Sequence, residues 1–133
     1  MTVARIAAAL LMTTVVFAAD LDFETYRSRV EPIFLKKRLG HACCVTCHAA
    51  NSSAFHLEAL TPGATTWTAE QSRRNFENVS RLVVPGNPDA SKLLLHPLSP
   101  DAGGDYFHSG GRQFASKQDE EWKTIAAWVD AAK

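Results

Sequence analysis

GHACCVTCHAAN, residues 40–51, places three cysteines and two histidines within a dozen positions. Inside it, Cys44-Val45-Thr46-Cys47-His48 has the spacing C-x-x-C-H, the attachment signature of a c-type haem. A C-x-x-C pair can also form a disulfide or half of a zinc site. Zinc would need two further Cys or His ligands at similar spacing, and the chain has no second cysteine pair. Cys43 opens a second spacing, C-x-x-x-C-H through Cys47; the ordinary spacing is the one adopted here. As an odd thiol, Cys43 is expected to be buried, with an intermolecular disulfide as the alternative.

Upstream, residues 1–19 differ in composition from the rest. Arg5 is the only charge before Asp20, and Ile6 to Phe17 is apolar or small apart from Thr13 and Thr14. A positive n-region, a short apolar h-region and Val16-Phe17-Ala18 at the exit read as a secretory signal peptide cut near Ala18 or Ala19. The run falls short of the roughly 20 residues of a spanning helix; a retained anchor is the alternative, and membrane association is expected only in that case. Export places the chain in the periplasm or outside the cell. Haem is attached to C-x-x-C-H outside the cytoplasm, so the two signals support each other. Residues 20–133 then form one domain. Fourteen basic residues balance fourteen acidic ones, which gives no field for nucleic acid.

Periodicity points to an all-α fold. Phe23, Tyr26, Val30, Ile33 and Phe34 recur on one face of a helix over 20–39, with Pro32 expected to kink or split it. Lys36-Lys37-Arg38 and Gly40 read as its C-terminus. Thr68 with Gln71 predicts a capping box opening a helix to Val79, with Phe76 and Val79 facing inward. Asn87-Pro88 predicts a short helix through Leu95. Prolines and glycines mark a long loop over about 97–115, a length that is usually functional. Ser116-x-x-Asp119 then caps a closing helix with Trp122, Ile125, Ala126 and Val129 on one face and Trp128 beside it.

With "FETYRSRVEPIF" ahead of the haem string, "VVPGNPDASKLLLHPL" in the middle and "DEEWKTIAAWVDA" at the end, residues 21–133 resemble the class I cytochrome c family. The likeness is strongest to single-haem cytochrome c domains of environmental bacteria. It implies one covalent haem c beside crossing N- and C-terminal helices. Carried over by position, Cys44 and Cys47 would form the thioethers and His48 would be the proximal iron ligand. Two cysteines three apart on a helical turn can reach the two vinyl groups, and the next residue then directs its imidazole at the iron.

One feature departs from that pattern. The family's distal ligand is usually a methionine just before the closing helix, but the only methionines are Met1 and Met12. "YFHSGGRQF" stands there instead, so His108 is the expected distal ligand, with His96 as its rival and His56, His41 or an open site behind them. A bis-histidine iron should have a lower potential than a His/Met one. Trp67, Arg73, Arg74, Arg81 and Arg112 are candidates to hold propionates, though solvated helix faces and core packing account for each of them as well. Lys36-Lys37-Arg38 could dock an acidic redox partner or simply be a solvated helix end.

The expected role is outer-sphere electron transfer, with no catalysis. The chain would act with redox partner proteins as a soluble carrier, or as a subunit of a larger complex or homo-oligomer. The alternative is a haem enzyme or gas-binding sensor with an open or displaceable distal position.

Overall fold

Aromatic side chains near both ends of the chain, Phe23 and Tyr26 at one and Trp128 at the other, determine how its helices meet. The computed structural model describes residues 20–50 and 53–132; the expected signal segment, 1–19, lies outside the described residues. The described residues are helical with no strand, apart from one isolated bridge between Leu98 and Phe114, in keeping with the all-α expectation. Among them no helix is long and apolar enough to cross a membrane.

The first rod runs as α1 (Phe23–Thr25), a π turn (Tyr26–Val30) and α2 (Glu31–Leu35). Asp22 caps it by accepting from the Thr25 amide. Pro32 offers no amide hydrogen, and the widened turn just ahead of it, closed by Glu31 N–H to the Tyr26 carbonyl, resets the hydrogen-bond register. The rod is adjusted rather than split. It also stops at Leu35, four residues short of expectation. Lys36 is already extended, and Lys36 and Arg38 both turn to Glu121 on the last helix.

Next come α3 (Cys44–His48), α4 (Ala69–Ser80), α5 (Lys92–Leu95) and α6 (Glu120–Asp130). The Thr68–Gln71 capping box opens α4 as expected, and Val79 is fully buried. The expected 88–95 helix is broken into a 3-10 turn, Pro88–Ala90, and α5. Ser91 at the break turns its hydroxyl back onto Asn87 and Val84 instead of continuing the spiral. For α6 the cap is Asp119, not Ser116: its carboxylate accepts from the Glu121 and Trp122 amides.

α6 lies against the first rod. Trp128 and Tyr26 rings sit 5.6 Å apart, and Trp128 Nε1 donates to the Asp22 carbonyl at 2.9 Å. Phe76 of α4 meets Phe23 and Tyr26 edge-on, each at 5.3 Å. Leu94, Leu98, Ile125 and Val129 complete the core; burying each such side chain contributes about 1.5–3 kcal/mol.

A buried carboxylate ties α2 to α4. Glu31 accepts from Tyr26 Oη, from Ser72 Oγ at 2.7 Å and from Asn75 Nδ2, while Asn75 Oδ1 accepts the Glu58 amide at 2.7 Å. Every partner is neutral, so the three donors offset the desolvation of this group. Through Asn75 the network also fixes the segment that follows His48. There Leu57 is fully buried and its amide bonds the His48 carbonyl.

Candidate functional site

α3 is a single turn whose residues Cys44, Cys47 and His48 stand at i, i+3 and i+4, the spacing that puts side chains on one face. Cys43, at its N-cap, has extended backbone. All four side chains line one cavity of about 350 Å³, whose apolar wall includes Ile33, Phe34, Phe55, Leu93, Phe114 and Ile125. The three thiols are free and partly buried. Cys43 is therefore only half-buried, on the cavity wall, where full burial was expected. Burial pushes the Cys44 thiol up, partly offset by the Arg38 guanidinium.

His48 is held by its Nδ1, which donates to the Phe55 carbonyl at 2.7 Å and lies 3.1 Å from Ser53 Oγ. The Phe55 ring packs on the imidazole at 4.3 Å. Burial, and next the neighbouring His108 and His96, hold His48 below its ordinary value against the raising effect of the Phe55 carbonyl.

His108 enters the same cavity from the long loop. Its Nδ1 bonds the Gly111 carbonyl, repeating the arrangement at His48. A backbone carbonyl on Nδ1 fixes the tautomer and leaves Nε2 as the ligating atom. The two rings lie 6.2 Å apart, centre to centre, with planes 14° from parallel. Two imidazoles on opposite sides of one metal ion, each bonded at about 2 Å, bring their centroids to roughly 6 Å. The separation of the His48 and His108 rings matches that figure.

Glycines shape this loop. A Cβ on Gly104 would lie 2.0 Å from the Leu98 carbonyl oxygen, so the chain passes there only without a side chain. Gly111 has φ +84°, and its carbonyl is the one that holds His108. Gln113, buried, joins the two sides of the cavity: its Nε2 donates to the Ala42 and Gly110 carbonyls and its Oε1 accepts from Arg38.

The other histidines fall differently. His96, at the end of α5, also lines the cavity; its ring meets His108 edge-on at 4.9 Å, and its Nδ1 pairs with Asp105 at 2.9 Å. His41 sits beside Gly111, half-buried, and His56 is exposed away from the cavity wall. None of the candidate propionate holders lines the cavity. Trp67 Nε1 donates to the Glu58 carbonyl, Arg73 lies over the Phe23 ring at 3.8 Å, Arg74 pairs with Glu58 and Glu70, and Arg81 and Arg112 are exposed. Among the described residues the lysine or arginine on the wall is Lys92. In the basic run, Lys36 and Arg38 are committed to Glu121 and Lys37 stays exposed.

Sequence reasoning missed Gln113, Asp105, Phe55 and Lys92. A polar residue buried by long-range folding leaves no local pattern, but Asp105 lies three residues before His108 in a loop already singled out. Comparison with protein-family models, with curated proteins and with solved structures finds no match.

Proposed function

We propose that the chain is an exported single-haem c-type cytochrome that carries electrons between redox partner proteins and has no catalytic role. The observation that supports this best is the matched pair of imidazoles, His48 and His108, each anchored through Nδ1 by a backbone carbonyl. They face an apolar cavity that Cys44 and Cys47 also line. Thiols, imidazoles and apolar walls are the donor set and surroundings that a covalently held haem takes. The bound haem would supply one reversible electron at its iron.

The rest falls to side chains of this chain. Cys44 and Cys47 would form the two thioethers from one helical turn, fixing the group before the distal side closes. His48 would ligate from that same turn through Nε2, its Nδ1–H donation to Phe55 raising its basicity. His108 would supply the sixth ligand through Nε2. With both ligands imidazole and both rings anchored, little rearranges between oxidation states. Phe34, Phe55, Phe114 and Ile125 would keep water from the bound group, and Lys92, on the same wall, would be the cation available to a propionate. The chemistry the group would supply is outer-sphere, with no bond made to the partner.

Export rests on residues 1–19, and a bis-histidine ligand set should favour the ferric state relative to a His/Met relative. The test is the optical spectrum of the purified protein, ferric and dithionite-reduced, with and without carbon monoxide. Low-spin bands, no methionine-ligation band and no prompt response to carbon monoxide, only slow binding paced by release of the distal ligand, are expected, together with a midpoint well below that of a His/Met relative. A high-spin ferric spectrum would overturn the proposal in favour of a haem enzyme or gas sensor.

A further inference from the structure

The cavity holds a third imidazole that the ligand pair above does not use. His96 caps α5, where the adjoining Leu93 and Leu94 are buried, so its Cα is anchored while its side chain is half exposed. Its ring touches the His108 ring at 4.9 Å, and its Nδ1 is taken by Asp105 at 2.9 Å. The free ring atom is again Nε2, the same preparation for ligation that His48 and His108 show.

The loop between the two histidines is built unevenly. At its start the Asp105 amide bonds the Leu95 carbonyl, which fastens Asp105 to the base of His96. Beyond it Tyr106 and Phe107 are 90% and 72% exposed, so little burial holds the segment that delivers His108. Further on, it is held by the Gln113 bond to the Gly110 carbonyl and by the two bonds between His108 and Gly111.

We propose that His96 is a second distal ligand, one that takes the sixth position when the 106–111 segment carries His108 away. The inference rests on the haem reading above. Exchange keeps two nitrogen ligands on the iron, so the protein stays low-spin throughout. Asp105 makes His96 the stronger electron donor to a metal, because a carboxylate on Nδ1 polarises its ring more than the Gly111 carbonyl polarises that of His108. The His96-ligated form therefore favours ferric iron further and has the lower midpoint.

The experiment uses the haem-loaded protein and four variants built from three substitutions. His108→Ala should remain low-spin, refuse carbon monoxide and show a lower midpoint than the unaltered protein. Adding His96→Ala to it should give a high-spin iron that binds carbon monoxide. Adding Asp105→Asn instead should move the midpoint back up. His96→Ala alone alters a half-exposed side chain and leaves the core intact; it should speed carbon monoxide binding to the ferrous protein several-fold, because His96 no longer competes for the vacated position. A high-spin, carbon monoxide-binding His108→Ala protein overturns the inference while leaving the haem reading intact, provided the unaltered protein is low-spin. An unchanged binding rate in His96→Ala overturns it equally, even if His108→Ala fails to fold. A high-spin unaltered protein removes the reading on which it stands.

Discussion

Gln113→Leu tests how the two sides of the cavity are held together. Leucine keeps nearly the volume of glutamine but removes three hydrogen bonds: to the Ala42 carbonyl at 3.2 Å, to the Gly110 carbonyl at 3.2 Å and from Arg38 at 3.3 Å. All three lie at or just beyond the long end of the normal range, so each is assigned about 0.5–1 kcal/mol, the lower part of the usual net contribution. The neighbouring backbone is half-buried and regains water in part, which keeps the total loss near 2 kcal/mol. Two of the three bonds join Ala42 to Gly110, so about 1.4 kcal/mol of the loss falls on contact between the proximal segment and the loop of His108. That corresponds to roughly a tenfold rise in the open population of this loop. Two assays follow: urea denaturation of the loaded protein, and the rate of carbon monoxide binding to the ferrous protein, which is limited by release of the distal ligand. A lower urea midpoint with about tenfold faster binding is expected. A destabilised protein with an unchanged rate would show that Gln113 supports the fold without holding the distal loop. A protein unchanged in both would show that these bonds contribute nothing.

Gly104→Ala should be harsher than its size suggests. The added Cβ meets Leu98 backbone and not a movable side-chain tip, so the loop must shift, at about 1–3 kcal/mol. Thermal unfolding should show that loss, whereas Gly103→Ala, with open space around it but φ +94°, should lose only about 1 kcal/mol. Equal losses at the two positions would contradict the close approach at Gly104. Glu121→Gln probes acid stability. Burial raises this carboxyl, but hydrogen bonds from Lys36 and Arg38 prevail and hold it below its ordinary 4.5. The unfolded chain therefore binds the proton more readily, so the stabilisation is present above about pH 4.5 and is lost as pH falls through the lower folded value. Lys36 is 62% exposed and adds little. The substitution should cost about 1–2 kcal/mol at neutral pH, chiefly through Arg38, and flatten the acid limb of the stability curve. An acid limb as steep as in the unaltered protein would refute the assignment to Glu121.

What the sequence revealed follows the range of each interaction. The Thr68–Gln71 box was legible because both partners lie within one turn, and the closing helix was legible from its apolar stripe. The end of the first rod was not. Its three consecutive cations suit a helix terminus, yet Lys36 and Arg38 are drawn to Glu121, more than eighty positions away, and the helix stops before them. The same limit applies at the site. Cys44, Cys47 and His48 were nominated by spacing, and His108 by standing where the family the chain resembles carries its distal methionine. The carbonyls of Phe55 and Gly111, the Gln113 link and the Asp105–His96 pair depend on tertiary folding. Arginines were candidates for the cavity because a guanidinium forks a carboxylate well, with solvated helix faces as the other reading, and position decided for the latter: Arg73 and Arg74 lie on α4, engaged with Phe23 and with Glu58 and Glu70.

The two halves of the cavity are therefore built to different standards of permanence. On the proximal side three side chains come from one turn, and the segment behind them is fixed by Leu57, Asn75 and the buried Glu31 network. On the distal side one imidazole rides on a loop whose exposed Tyr106 and Phe107 bury little, and that loop is tied inward mainly at Asp105 and Gln113. Under the haem reading, loss of the distal ligand would leave the covalent tether and the proximal ligand in place. The distal side is then free to move at a cost of a few hydrogen bonds, while the attachment of the group never enters that equilibrium. Under that reading the protein would alter its sixth ligand, and with it its potential, without unfolding or releasing the group. That separation makes His108 and His96 informative to replace one at a time: each substitution would change the distal side and leave the thioether tether as an internal control.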